Sequence, residues 1–437
     1  MPLASPAAAA RAFIALAGPA VWRARLARIA ALAADGRRSG QAVRQRHLVE
    51  LTLARLARGG ADPSPTEARI AARIAALAGE TALLAARLTP AGRVRFDAAL
   101  DAALDGDGTP IGLLHLARTA RRHRAHGFTV RFAGFEDGAP FDLLLTREGA
   151  VAELVCDVVS AESGRAVSRA AWLLLADRID PDLQTWLAAH PGQYLLKMTL
   201  PDGLAGGLPA DPSGVPAAAS DPAALAALHG RIRAMLAGAA RATQDAAVVL
   251  RLDPLLLAGA RSDLAPVGVS GAGASGAGVS GAGAAEAGAN GIMARLRREF
   301  GPEAHLAAIA ADGGMFVLAA RAGQEDRVAG AVRARLAALA PARLTGTRPG
   351  ILAMFLEDTD RAEWRGLRER LELEGEARQF LTGPEARAVV AVTCASRLEL
   401  FGLAPPDAAE EGELRFRNPG HPAARVAALA PAVASAV

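Results

Sequence analysis

Residues 139–165 of the chain are APFDLLLTREGAVAELVCDVVSAESGR, and this stretch carries the strongest fold signal. Segments 141–146 and 150–160 are rich in Leu and Val, which predicts two β-strands. Between them, the Arg-Glu-Gly sequence at 147–149 is typical of a tight turn. The two strands are therefore expected to form a hairpin.

The neighbouring segments extend this hairpin on both sides. Residues 111–126 have helical periodicity and end at Gly127, and 128–132 are typical of a short strand. After the hairpin, the pattern predicts a helix that starts at 164 and a further strand at 193–200. The predicted order over 109–200 is therefore helix, three strands, helix and strand.

This order resembles the core of restriction-endonuclease-like proteins, the PD-(D/E)XK superfamily. Its members carry an acidic residue on the second strand and Glu-x-Lys on the third, where carboxylates hold Mg²⁺ or Mn²⁺ for phosphodiester hydrolysis. Here Asp142 matches the aspartate, and residues 153–157, ELVCD, resemble the family's frequent EVECK. Gly164 and Arg165 also resemble a Gly-Arg pair at the start of the family's next helix.

The chain departs from this pattern at two positions. Val155 replaces the metal-binding glutamate, and Asp157 replaces the lysine. Because alternate strand residues share a face, Glu153 and Asp157 are expected to point the same way, with Asp142 across the hairpin. These three carboxylates would be the ligands of a residual Mg²⁺ or Mn²⁺ site, and Arg165 would replace the lysine.

Another interpretation gives the same residues structural roles. Asp142 would cap a turn, Glu153 would pair with an arginine, and Asp157 would lie at a solvated strand end. The leading functional prediction is a catalytically degenerate restriction-endonuclease-like protein that binds DNA or RNA. The alternatives are a metal-dependent nuclease that uses Asp142, Glu153, Asp157 and Arg165, and a protein–protein interaction scaffold without a nucleic-acid role.

The rest of the chain suggests an α/β protein in four parts. Residues 1–108 have helical periodicity, 109–256 form the nuclease-like core, and 291–437 return to alternating helices and strands. Residues 257–290 are a Gly/Ala/Ser-rich tract that predicts a linker without a packed core. The C-terminal part is expected either to extend the central sheet or to form a separate domain.

The charge composition gives only modest support for a nucleic-acid partner. The 437 residues carry a formal net charge of +4, and Lys197 is the single lysine among 49 basic residues. Residues 1–58 concentrate ten arginines against Asp35 and Glu50, which could attract a polyanion. A solvated helix face is the structural alternative. These arginines are Arg11, Arg23, Arg25, Arg28, Arg37, Arg38, Arg44, Arg46, Arg55 and Arg58.

The cysteine and histidine positions do not form a metal motif. Cys156 and Cys394 are far apart and lie in apolar runs, so buried reduced thiols are expected. His123 and His126 near the end of one helix are expected to be exposed cations. No uncharged apolar run is long enough to span a membrane, and no signal peptide is evident, so a cytoplasmic location is expected.

Overall fold

Two mixed β-sheets with flanking helices organise the chain, which confirms the predicted α/β class. The computed structural model describes residues 5–60, 65–106, 108–204, 222–255, 295–296, 305–311, 314–396 and 412–434. The predicted linker at 257–290 lies outside the described residues.

The helices and strands are numbered in chain order. The helices are α1 (Pro6–Ala17), α2 (Pro19–Leu32), α3 (Arg37–Arg46), α4 (Leu48–Ala57), α5 (Pro65–Ala85), α6 (Pro90–Leu104), α7 (Ile111–Ala125), α8 (Ala133–Asp137), α9 (Arg169–Ala189), α10 (Pro222–Ala237), α11 (Val328–Arg343), α12 (Arg361–Glu369), α13 (Glu372–Thr382) and α14 (Ala430–Val433). The strands are β1 (Thr129–Arg131), β2 (Leu143–Arg147), β3 (Ala150–Ser160), β4 (Gly192–Leu200), β5 (Ala242–Gln244), β6 (Val249–Pro254), β7 (His305–Ala311), β8 (Gly314–Ala322), β9 (Gly350–Glu357), β10 (Val389–Ser396) and β11 (Gly412–Arg417).

Helix starts in the N-terminal region follow standard capping chemistry. The Ser5 side chain accepts a hydrogen bond from the backbone N–H of Ala8, and Thr89 does the same for Gly92. A proline follows each cap, where its missing N–H leaves no hydrogen bond unmade. Residues 1–108, which were predicted to be helical, therefore contain the helices α1 to α6.

The described residues fall into two compact units. Unit 1 contains the described residues up to Gly164 and from Arg327 onward. Unit 2 contains the described residues from Arg165 to Asp326. The backbone N–H of Arg327 donates to the carbonyl oxygen of Gly164 at 2.6 Å. The chain therefore leaves unit 1 and returns to it at adjacent points, so unit 2 is an insertion.

Unit 1 contains a six-stranded sheet in the order β1-β2-β3-β9-β10-β11. The pairs β3/β9 and β9/β10 are parallel, and the other neighbours are antiparallel. Side chains of Ala152 and Leu154 pack in a core with α7 and the N-terminal helices, whereas Val155 and Val159 pack in a core with α11 and α13. Helices therefore cover both faces of the sheet, as expected for strands with long apolar runs.

Unit 2 contains a five-stranded sheet in the order β5-β6-β4-β8-β7. Only β4 and β8 are parallel neighbours among its described strands. Helix α9 packs against β7 and β8, and α10 packs against α9.

The position of β4 corrects the predicted core at 109–256. The strand expected at 193–200 exists as β4, but it pairs with β6 and β8, and the parallel neighbour of β3 is β9. The predicted C-terminal part at 291–437 is divided between the two sheets: β9 to β11 extend the sheet of β1 to β3, whereas β7 and β8 belong to the sheet of unit 2. Local periodicity predicts a strand but not the strand with which it pairs. The pattern therefore could not show that β4 belongs to an inserted unit.

Candidate functional site

Asp142 lies immediately before β2 and is held at both carboxylate oxygens. Oδ2 accepts the backbone N–H of Cys156 at 2.8 Å, and Oδ1 accepts from Nη2 of Arg343 at 2.9 Å. Burial raises the pKa of Asp142, while the Arg343 guanidinium and the Cys156 N–H oppose this shift. The charge of Asp157 adds to the rise, so these two carboxylates lie close enough to interact.

Glu153 lies near the start of β3 with no exposed surface. Its Oε1 accepts from the Thr345 hydroxyl at 2.5 Å, and its Oε2 accepts from the Thr345 backbone N–H at 2.9 Å. Nη1 of Arg348 is 3.8 Å from Oε1. The loop between α11 and β9 therefore supplies Thr345 and Arg348, the partners of this buried carboxylate in the described part of the chain.

Asp157 lies on the same face of β3 as Glu153, two pleats further along. Arg335 of α11 approaches it with a fork, in which Nε donates to Oδ2 and Nη2 donates to Oδ1 at 3.2 Å. Such two-point pairs hold both groups in one geometry. Asp157 therefore does not lie at a solvated strand end, because α11 covers it.

Asp142 and Asp157 are thus held by arginines of α11, and Glu153, four residues before Asp157 on β3, is held by the loop that follows α11. The three residues are here called the carboxylate cluster. All six carboxylate oxygens accept a hydrogen bond from an N–H or O–H group. Guanidinium groups provide positive charge where a nuclease would hold a divalent cation. In this arrangement the donor set does not fit Mg²⁺ or Mn²⁺, and within the described ranges no group of three His, Cys, Asp or Glu is arranged to bind a metal.

Arginines other than Arg165 contact the carboxylate cluster. Arg165, the expected substitute for lysine, is the first residue of unit 2, and its role stays a prediction. Lys197 pairs with Asp253 at 3.1 Å in the sheet of unit 2. Arg335 is 178 residues from its partner Asp157 along the chain, and Arg343 is 201 residues from its partner Asp142. Sequence reasoning missed them because no local pattern links α11 to β3.

A second polar network lies at the carboxyl ends of the parallel strands, where open α/β sheets often bind ligands. Asp358 accepts from the Ser160 hydroxyl and from Arg46 of α3, each at 2.5 Å. Thr359 and Ser396 are hydrogen-bonded at 2.7 Å. Negative charge from Asp358 raises the pKa of Arg46 above its usual value. The network therefore joins α3 to the sheet, which is a structural role.

The histidines of α7 differ from expectation. His123 is buried against Phe128, with ring centroids 5.6 Å apart, rather than exposed at the helix end. Burial, together with the positive charges of Arg415 and Arg122, lowers the pKa of His123 to about 3. His123 is therefore a neutral core residue and not a cation. Cys156 and Cys394 are both free thiols, as expected, but Cys394 is buried whereas Cys156 is half-buried.

Compared with models of protein families, with curated proteins and with solved structures, the chain finds no match. Among the helices that the structure describes, none combines the length and apolar character that crossing a membrane requires. The α/β fold and the geometry of the carboxylate cluster are therefore the grounds for a functional assignment.

Proposed function

We propose that this chain is a restriction-endonuclease-like protein that binds DNA or RNA and has lost metal-dependent cleavage. The element order supports the proposal once the insertion is set aside. From α7 onward, unit 1 runs α7, β1, the short helix α8, β2, β3, α11 and β9, which apart from α8 is the helix, three strands, helix and strand of that family. In this comparison Asp142 matches the family's aspartate and Glu153 the first glutamate of EVECK, whereas Val155 and Asp157 replace the metal-binding glutamate and the lysine.

The observation that carries the loss of cleavage is the saturation of the carboxylate cluster. Arg335 and Arg343 are bonded to Asp157 and Asp142, and Thr345 is bonded to Glu153. A divalent cation would have to displace fixed guanidinium groups and would meet their positive charge. An arginine also stays protonated, so it cannot serve as a base toward water.

The surface of the N-terminal helices supports a polyanionic partner. Two of the ten arginines are internal, because Arg25 pairs with buried Glu50 and Arg46 pairs with Asp358. Six others are exposed on or beside α1 to α4, whereas Asp35 is the exposed acid within described residues 5–60. The exposed arginines are Arg11, Arg23, Arg28, Arg37, Arg44 and Arg58. Such a charge excess favours contacts with phosphate groups.

Fluorescence anisotropy with labelled single-stranded DNA, double-stranded DNA and RNA tests the binding. We expect the full chain to bind at least one of them, and the affinity to fall at least about tenfold between roughly 50 and 200 mM salt, because phosphate contacts release counterions. An absence of binding to all three would overturn the proposal and favour the interaction scaffold.

Incubation of the same substrates with Mn²⁺ tests the loss of cleavage. We expect intact substrates at high protein concentration, both for the natural chain and for Asp142→Asn. Cleavage that disappears in Asp142→Asn would instead establish the carboxylate cluster as a working metal site.

A further inference from the structure

A concave pocket of about 370 Å³ lies in unit 1 between α5, α7, β1 and α8. This volume is in the range of small-molecule binding sites. Apolar side chains line much of it, from Leu83, Leu84, Leu88, Ala117, Val130 and Phe132. We call it the α5–α7 pocket, and it is separate from the carboxylate cluster.

The charged residues of the α5–α7 pocket are unbalanced. Four arginines and two glutamates line it. Glu80 pairs with Arg121 at 3.0 Å, and Arg131 pairs with Asp137. Glu136 accepts from the hydroxyl of Thr89 at 2.6 Å. The two carboxylates of the lining are therefore already engaged.

Arg87 and Arg124 are the two remaining arginines of the pocket lining. Both are exposed, and no carboxylate in the described part of the chain forms an ion pair with either of them. The Arg124 guanidinium lies over the Phe132 ring, 5.2 Å from its centroid. Partial burial lowers the pKa of Arg124, repulsion from the positive charge of Arg87 lowers it further, and the negative charge of Glu80 opposes the shift. A bound anion would relieve this repulsion.

We propose that the α5–α7 pocket binds a phosphate monoester, with the phosphate between Arg87 and Arg124 and an apolar body on the Leu and Phe side chains. A phosphate monoester carries about −1.5 to −2 charge near neutral pH, which matches two unpaired cations better than a carboxylate does. Each guanidinium presents a planar fork of N–H donors suited to phosphate oxygens. This proposal does not depend on the nucleic-acid function.

Isothermal titration calorimetry on the full chain tests the proposal with AMP and phenyl phosphate as probes. We expect at least one probe to bind with a Kd below about 1 mM. Adenosine and phenol, which lack the phosphate, are expected to bind at least about tenfold more weakly. In the double variant Arg87→Gln/Arg124→Gln, the affinity for the phosphate probes is expected to fall about tenfold to hundredfold per arginine, because hydrogen bonds to a charged group are lost.

The matched control is Arg370→Gln/Arg378→Gln, which removes the same charge from exposed pairs with Glu372 and Glu374. It should bind the probes as the natural chain does. A failure of both probes to bind, equal binding of adenosine and AMP, or unchanged affinity in the Arg87 and Arg124 variant would each overturn the proposal.

A comparison of two oligonucleotides identifies the source of the phosphate. Tighter binding of a 5′-phosphorylated oligothymidylate than of its 5′-hydroxyl form, lost in Arg87→Gln/Arg124→Gln, would place a strand end in the pocket. AMP binding without that difference would make the ligand a free small molecule. Either result supports the phosphate monoester site.

Discussion

The carboxylates of Asp142, Glu153 and Asp157 are held in internal ion pairs and hydrogen bonds rather than presented to solvent. Glu153 has no exposed surface, and Thr345 donates to both of its oxygens. A buried charge costs free energy unless it is hydrogen-bonded. Asp142, Glu153 and Asp157 therefore contribute to fold stability through intramolecular contacts.

Thr345→Val tests that contribution at Glu153. The substitution keeps the side-chain shape but removes the hydroxyl donor, so we expect the free energy of unfolding to fall by about 1.5–3 kcal/mol. Urea denaturation measures it. Thr345→Ser keeps the hydroxyl, so its free energy of unfolding should fall much less. Equal losses in the two variants would contradict a role for the hydroxyl.

His123 should make stability depend on pH. Its pKa in the folded chain is about 3, below the ordinary 6.5, so between these values the unfolded chain takes up a proton that the folded chain does not. Stability is therefore complete above about pH 6.5 and falls as pH decreases, by at most about 1.4 kcal/mol per pH unit.

Urea titrations of the natural chain and His123→Gln at about pH 5 and pH 7.5 measure this dependence. We expect the variant to show a smaller loss at the lower pH. His126→Gln, which changes an exposed neighbour, is the control and should keep most of the dependence. The same slope in His123→Gln and the natural chain would assign it to other groups.

The elements of unit 1 meet tightly where the insertion begins. A Cβ added at Gly164 would lie 2.4 Å from the Cα of Val328 and 2.6 Å from the carbonyl carbon of Arg327. These neighbours are backbone atoms at the start of α11, so they cannot move aside as a flexible side chain would. Gly164 therefore lets α11 start directly beside the end of β3.

Gly164→Ala should destabilise unit 1. We expect a loss of about 1–3 kcal/mol, typical of forced overpacking, measured as a lower midpoint of thermal or urea unfolding. Gly375→Ala in α13 is the matched control, since nothing lies within 4 Å of its added Cβ. A helical Gly-to-Ala change there should stabilise by up to about 1 kcal/mol. A neutral Gly164→Ala would contradict the close approach.

The molecule is built from a unit with a six-stranded sheet, interrupted in the chain by a second unit with its own sheet. The hydrogen bond from Arg327 to Gly164 brings the two junctions together. Insertions are tolerated where the ends of the inserted unit are close, because the host chain is then not distorted.

Deletion of the insertion tests this organisation. A chain that joins Gly164 to Arg327 through a short Gly/Ser linker should fold, since β3, α11 and β9 keep their neighbours. Circular dichroism and a cooperative thermal transition measure the outcome. A deletion variant that is unfolded while the natural chain is folded would show that unit 1 needs unit 2.

Short-range features were accessible from the sequence because their causes are local. The hairpin turn is one, since Glu148 and Gly149 both have positive φ, 49° and 80°, as a two-residue hairpin requires. The run at Ala150–Ser160 is another, because a strand covered on both faces is apolar on both. The α/β class and the shared face of Glu153 and Asp157 on β3 followed from the same patterns.

The partners of these elements were decided only by tertiary structure. β9 beside β3, and Arg335 on Asp157, join residues separated by long stretches of chain that include all of unit 2. Alternation and helical periodicity report which side of an element is buried, but not which distant segment covers it. The sequence could therefore place Glu153 and Asp157 on one face of β3, whereas only folding determined that Arg335 and Arg343 lie against Asp157 and Asp142.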